Sequence, residues 1–240
     1  MSTEINIFNS PEDVARAFAR ELSALVSNWS GDFHLALSGG STPRMLFDVL
    51  AAEYQSKMPW KKIHFWWGDE RCVPPTDPES NYKMTAAHLF SKVPVKEGQI
   101  HRIAGELGPH DAASRYSAEI MAKVKKNGHL PEFDLIMLGI GDDGHTASIF
   151  PDQMDIFLAG SICGVASHPL TGQKRVTLTL PVLNNAGQVV FLATGGAKSE
   201  PVGQIVNNGE KAVSLPARHI RPHSGKLAFF LDKQAAALIR

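Results

Sequence analysis

Cysteine is scarce in these 240 residues: Cys72 and Cys163 stand far apart and show no metal-ligand spacing. One pair makes no disulfide framework, so a disulfide-stapled secreted domain is not expected. Neither sign of charge prevails, because 24 Lys and Arg balance 24 Asp and Glu. A basic stripe for a nucleic-acid backbone or an anionic membrane is therefore absent. Any anion has to be handled by a local pocket rather than by a global field. No apolar run approaches the ~20 residues that span a bilayer. The opening MSTEINIFNS has neither the basic n-region nor the apolar h-region of a secretory signal. Motifs are missing too. Without HExxH, clustered Cys and His, or an EF-hand ligand series, no metal is expected. Without Gly-Lys-Ser/Thr or GxGxxG there is no Walker loop and no dinucleotide fingerprint. The lack of GxSxG counts against a serine esterase. These absences describe a cytoplasmic protein of a reducing compartment, with no nucleic-acid or membrane partner.

The length suits one domain over residues 1–240, able to bury roughly 70–75% of its unfolded surface. A helix follows FNSPEDV, with Ser10 as cap, Pro11 in the first turn, and Glu12 and Asp13 complementing the dipole. Val14, Phe18, Leu22, Leu25 and Trp29 recur at helical spacing. Strand-like runs then alternate with helical ones. FHLAL, IHFWW, DLIMLG, ICGVA, RVTLTL, QVVFLAT and LAFFLD read as strands, with QIHRI a weaker one. MLFDVLAAEY, YKMTAAHLF, DAASRYSAEIMAKVKK, SEPVGQIVNN and a closing KQAAALI read as helices, the third ended by Asn127-Gly128. The expected class is α/β: a three-layer, Rossmann-like domain whose largely parallel sheet is flanked by helices. Such sheets hold ligands at the carboxyl ends of their strands. Four polar, glycine-containing segments follow apolar strands here: SGGSTP, GDER, GIGDDGH and TGGAK.

Each segment offers distinct chemistry. In SGGSTP, glycines admit a ligand close to the backbone. Ser41 or Thr42 can cap the following helix, and Pro43 fits its first turn. Free N–H groups at a helix start favour an anion, phosphate above all. Arg175, opening RVTLTL, and Lys198, after TGGA, can complete a phosphate clamp. In GDER, Asp69 can orient a hydroxyl or a water, and Arg71 can hold an anion or a developing oxyanion. An internal carboxylate–arginine pair that ties down the next loop is the plainer alternative. GIGDDGHTASIFP carries His145, whose imidazole suits a general base. Asp142 or Asp143 could fix its tautomer or meet substrate hydroxyls. The aromatic run FWW is expected to pack against a helix.

Together, LALSGGSTPRMLFDVL, WWGDERCVPPTDPESNYKM, FDLIMLGIGDDGHTASIFPD, KRVTLTLPVLNNA with VVFLATGGAK, and LPARHIRPHSGKLAFFLD resemble the 6-phosphogluconolactonase family. The pieces occur in the family's order and cover most of the chain from residue 35 onward. The resemblance implies an α/β domain related to glucosamine-6-phosphate isomerase/deaminase. Its reaction would be hydrolysis of 6-phospho-D-glucono-1,5-lactone to 6-phosphogluconate, in the oxidative pentose phosphate pathway, without metal or cofactor. It further implies that Gly39, Gly40, Ser41 and Thr42 form a phosphate loop, with Arg175 and Lys198 as its cations. His145 matches the base, and Asp69 and Arg71 match the acidic and basic positions of a second active-site loop. A monomer is expected.

One departure is visible: SEPVGQIV puts Pro201 and Gly203 where the family usually has an unbroken helix. Pro201 is accommodated only in a first turn, so the placement of Lys198 depends on where that helix begins. On this reading His145 takes a proton from water and returns it to the ring oxygen. Arg71 or loop N–H groups stabilise the oxyanion, and Asp143 or Asp69 orients His145 or substrate hydroxyls. The rivals are a related sugar-phosphate isomerase/deaminase and a non-catalytic sugar-phosphate sensor. Arg71 and the sequel HTASIFP favour the lactonase. His219 and His223 receive no role.

Overall fold

A chain whose apolar strands alternate with amphipathic helices can shield both faces of a sheet by laying helices over it. The computed structural model, which describes residues 3–158, 160–223 and 225–240, has this arrangement. Met1 and Ser2 of the opening stretch and Ser224 of HIRPHSGK lie outside the described residues.

The first half of the chain runs β1 (Thr3–Phe8), α1 (Pro11–Asn28), β2 (Phe33–Leu37), α2 (Ser41–Glu53), β3 (Ile63–Trp67), β4 (Asp69–Arg71), α3 (Asn81–His88) and α4 (Pro109–Lys123). The second half adds β5 (Lys126–Asn127), β6 (Leu130–Pro131), β7 (Leu135–Leu138), β8 (Cys163–Ser167), β9 (Lys174–Leu178), α5 (Leu180–Asn184), β10 (Gln188–Ala193), α6 (Ser199–Val206) and β11 (Lys226–Asp232). The main sheet is ordered β1-β11-β10-β7-β2-β3, and every neighbouring pair is parallel. Its winding reverses between β2 and β7. From β2 the chain goes through α2 to β3 on one side, while β7, β10 and β11 build outward on the other. Loops leaving two such strands diverge and open a crevice at their carboxyl ends.

Helix α1 begins as its sequence dictates: Ser10 accepts from the Asp13 amide at 3.1 Å, and Pro11 opens the helix. Its Val14, Phe18, Leu22 and Val26, one turn apart, are buried. Each such side chain contributes about 1.5–3 kcal/mol of burial. Helix α1 packs on α2 and β11, whereas α4 packs on β8 and β9.

A second sheet departs from the parallel expectation. Strands β4, β9 and β8 form a three-stranded antiparallel sheet beside the main one. Gly68 is the pivot, its amide donating to Leu37 O at 2.9 Å and its carbonyl accepting from Leu178 N at 2.8 Å. Just before it, the buried Tyr116 hydroxyl of α4 accepts from Trp67 N at 2.8 Å and donates to Trp67 O at 3.0 Å. The end of β3, and hence the start of β4, is thereby fixed in place.

Four local expectations are corrected. TEINIF, read only for its lack of a signal, is edge strand β1 in register with β11. QIHRI reduces to an isolated bridge between Phe65 and Ile100. Helix α4 stops at Lys123, and a small hairpin of β5 and β6 follows. KQAAALI forms turns rather than a helix.

At the amino ends of β2 and β3, three histidines stack. His34 and His64 have ring centroids 5.2 Å apart, and His64 Nδ1 lies 3.0 Å from His101 Nε2. Trp66 covers His101 at 4.0 Å and donates from Nε1 to His34 Nδ1 at 3.1 Å. Glu119 pairs with His101 Nδ1 at 2.7 Å, and Asp134 accepts from the His34 amide at 2.7 Å.

Candidate active site

At the reversal point the four glycine-containing segments converge on one crevice of about 220 Å³. Gly39, Gly40, Ser41 and Thr42 come from the β2–α2 junction, and Asp69 and Arg71 from β4. His145 comes from the turn after β7, Arg175 from β9, and Lys198 from the segment after β10. Asp143 stands behind His145 rather than in the wall.

The loop after β2 differs in one detail from its expected chemistry. Neither Ser41 nor Thr42 caps α2. The cap is Gly40, whose φ of 106° suits a residue without a side chain, and no side chain satisfies the first amides of the helix. Those amides remain for a ligand, with the helix dipole behind them. The Thr42 hydroxyl instead pairs with Thr194 Oγ1 at 2.8 Å, joining the β2 loop to the end of β10.

On the β7 turn, Asp143 Oδ1 accepts from the His145 amide at 3.0 Å and lies 2.6 Å from His145 Nδ1. A carboxylate there holds the proton on Nδ1 and leaves Nε2 as the basic nitrogen. Burial raises the Asp143 pKa, but hydrogen bonds from the His145 ring and amide outweigh it and bring it to about 2. Gly141 makes room for this ring: a Cβ there would lie 2.0 Å from His145 Nδ1. Of the two adjacent carboxylates, only Asp143 serves the imidazole. Asp142 accepts instead from Lys198 Nζ.

Arg71 and Arg175 are direct cross-strand partners on β4 and β9. Like charges in that position repel, and each keeps a buried Nε without a hydrogen-bond partner among the described residues. Burial lowers the Arg175 pKa, nearby Asp69 opposes, and Arg71 adds to the fall. Two crowded guanidiniums beside open helix amides form a strong local demand for an anion. GDER is tied to the next loop, but by Glu70 on backbone amides rather than by the expected carboxylate–arginine pair. This buried carboxylate accepts from the amides of Arg71, Asn81 and Tyr82 and from Ser80 Oγ, at 2.8–3.0 Å. Arg71 itself donates to the Glu79 carbonyl.

Pro201 lies in the first turn of α6, where a proline is tolerated, so Lys198 directly precedes the helix and reaches the crevice. Neither His219 nor His223 lines the crevice: His219 Nε2 lies 2.7 Å from Val213 O, and the His223 amide donates to Asn184 O. Sequence reasoning missed Asn81, which lines the crevice and donates to Asp69 O at 3.0 Å. It also missed Phe150, whose buried ring lies 4.8 Å from the His145 ring and 5.7 Å from the Arg175 guanidinium. Only the position of Phe150 within HTASIFP hinted at it. Among the described residues no three His, Cys, Asp or Glu converge as metal ligands, and no helix is long and apolar enough to cross a membrane.

Comparison with known proteins follows the same lines. The profile of a family described as "Glucosamine-6-phosphate isomerases/6-phosphogluconolactonase" matches residues 9–229. The 6-phosphogluconolactonase of Treponema pallidum is 42% identical over 191 residues, covering 80% of this chain and 79% of the relative. That of Haemophilus influenzae is 41% identical over 207 residues, covering 86% and 87%. The solved structure of 6-phosphogluconolactonase from Trypanosoma cruzi superposes with a TM-score of 0.86 at 29% identity, covering 98% of this chain and 96% of that one.

Proposed function

Since the chain belongs to the glucosamine-6-phosphate isomerase/6-phosphogluconolactonase family, we infer that it hydrolyses 6-phospho-D-glucono-1,5-lactone to 6-phosphogluconate. This is a carboxylic-ester hydrolysis of the oxidative pentose phosphate pathway. The observation that carries the reading is the convergence of an imidazole–carboxylate pair with an anion grip on one crevice at the reversal point.

The chemistry has three parts. The open amides of α2, with Arg175 and Lys198, hold the phosphate and so orient the lactone carbonyl. His145 Nε2 takes a proton from water as its oxygen bonds to C1, while Asp143 stabilises the imidazolium that forms. Arg71 faces the negative charge that develops on the carbonyl oxygen. The C1–ring oxygen bond then breaks, and the imidazolium returns the proton to the departing oxygen. Asp69 receives a substrate hydroxyl. Water attacks directly, because among the described residues no activated nucleophile lines the crevice. The enzyme acts as a monomer in the cytoplasm, with no nucleic-acid partner; a balanced net charge supports the last of these.

The decisive experiment follows acid release from freshly prepared phosphorylated lactone at mildly acidic pH, where spontaneous opening is slow. Wild type is expected to turn over well above the blank, and His145→Ala to lose about 10²–10⁴-fold in rate. A folded His145→Ala enzyme with near-wild-type turnover removes the base assignment. A wild type that fails on the lactone yet releases ammonia from glucosamine 6-phosphate returns the protein to the other branch of its family.

A further inference from the structure

Two residues past the base, the chain makes an unusual turn. Ala147 adopts φ 49°, a left-handed conformation that side-chain-bearing residues rarely take. The turn is pinned on both sides of this residue. Thr146 Oγ1 donates to Gly139 O at 2.9 Å, and the Ser148 amide donates to Thr177 Oγ1 at 3.2 Å. Ser148 is fully buried, and its hydroxyl donates to Asp69 Oδ2 at 2.5 Å. Asp69 and Thr177 are themselves cross-strand partners on β4 and β9. Ser148 therefore ties the turn that carries the base to the strand pair that carries the two arginines.

We propose that Ser148 is a positioning residue for the lactonase reaction, holding one carboxylate oxygen of Asp69 so that Oδ1 faces the substrate. This rests on the lactonase reading and on Asp69 as the receiver of a substrate hydroxyl. A carboxylate rotates about its last side-chain bond unless a donor fixes it. Asp69 is 6% exposed and lines the crevice. With Oδ2 taken by a short bond to a buried hydroxyl, the carboxylate plane is set before substrate arrives, and the strained Ala147 turn is what brings Ser148 within reach. Ser148 touches neither the crevice nor the reacting atoms, so its effect passes through Asp69.

A double-mutant cycle tests this: Ser148→Ala, Asp69→Asn and the double variant, each assayed for kcat and KM on phosphorylated lactone. Ser148→Ala is expected to lose about tenfold in kcat, the loss of a hydrogen bond to a charged group, with KM changed less than about twofold. In the Asp69→Asn background the same substitution should cost less than about twofold more, because residues acting as one unit are not additive. Losses that multiply in the double variant, or a Ser148→Ala enzyme with full kcat, overturn the proposal. If thermal melting shows that Ser148→Ala does not fold, Ser148→Cys, similar in size but a poorer donor, enters the same cycle. A wild type without lactone turnover would instead overturn the reaction itself, and this role with it.

Discussion

Lys198, a cation of the proposed phosphate grip, is already engaged, since its Nζ donates to Asp142. The pair is largely solvent-exposed on the Asp142 side, and exposed pairs of this kind contribute about 0.2–1 kcal/mol. On the proposed grip, a phosphate that draws Lys198 away from Asp142 meets that carboxylate as a weak competitor. Asp142→Asn is accordingly expected to lower KM for the phosphorylated lactone by about 1.5- to 5-fold and to leave the unphosphorylated lactone unaffected. Steady-state kinetics on the two substrates checks it, and a raised KM would count Asp142 as a helper instead. Arg175 has the opposite sign. Its guanidinium lies over Phe150 and opposite Arg71, an arrangement that a bound anion would stabilise further. Arg175→Ala should raise KM for the phosphorylated lactone by about 10-fold or more, as removal of a charged hydrogen bond does, with little effect on unphosphorylated gluconolactone. Equal losses on both substrates would take Arg175 out of the grip.

Among the elements, the amino ends of β2 and β3 hold a titrating device of their own. Burial lowers His34 to about 4, with Asp134 opposing, His64 adding to the fall, Asp32 opposing and His101 again lowering. Burial also lowers His101, against Glu119 and with Lys123. A histidine whose folded pKa lies below its unfolded value of ~6.5 favours the folded state while neutral. That stabilisation is complete above about pH 6.5 and drains away as pH falls towards about 4. Melting temperature should therefore decline across that window, and His34→Gln, which keeps an acceptor for Trp66 Nε1, should flatten the decline. An unchanged slope would move the acid sensitivity elsewhere. The same elements show what was legible beforehand. The apolar runs that became β2, β3, β7, β10 and β11 could be read directly, and so could α1 with its Ser10 cap. Strand β4 could not: Asp-Glu-Arg has no strand propensity, and only pairing with β9 makes it extended. Strand β1 was missed because its side chains are mostly exposed, which erases the burial pattern. Within the site, glycines and charges after strands identified the wall residues. Asn81 and Ser148 carry ordinary side chains whose significance comes only from the atoms they meet.

For the whole molecule, six separate segments of the chain meet at the crevice, and the proposed enzyme is a monomer. Light scattering on a sizing column is expected to give a mass near 26.1 kDa, and a doubled mass would reopen the question of subunits. The order of the main sheet also has a consequence for how the chain is made. Among the described strands β1 comes earliest in the chain, and it pairs in the sheet with β11, more than 200 residues downstream. Synthesis proceeds from the amino side, so β1 has to wait, without this pairing, until β11 has emerged. The inner strands that frame the crevice find their neighbours sooner. Among the described strands, the earliest to be translated is thus the last to be sealed into the sheet.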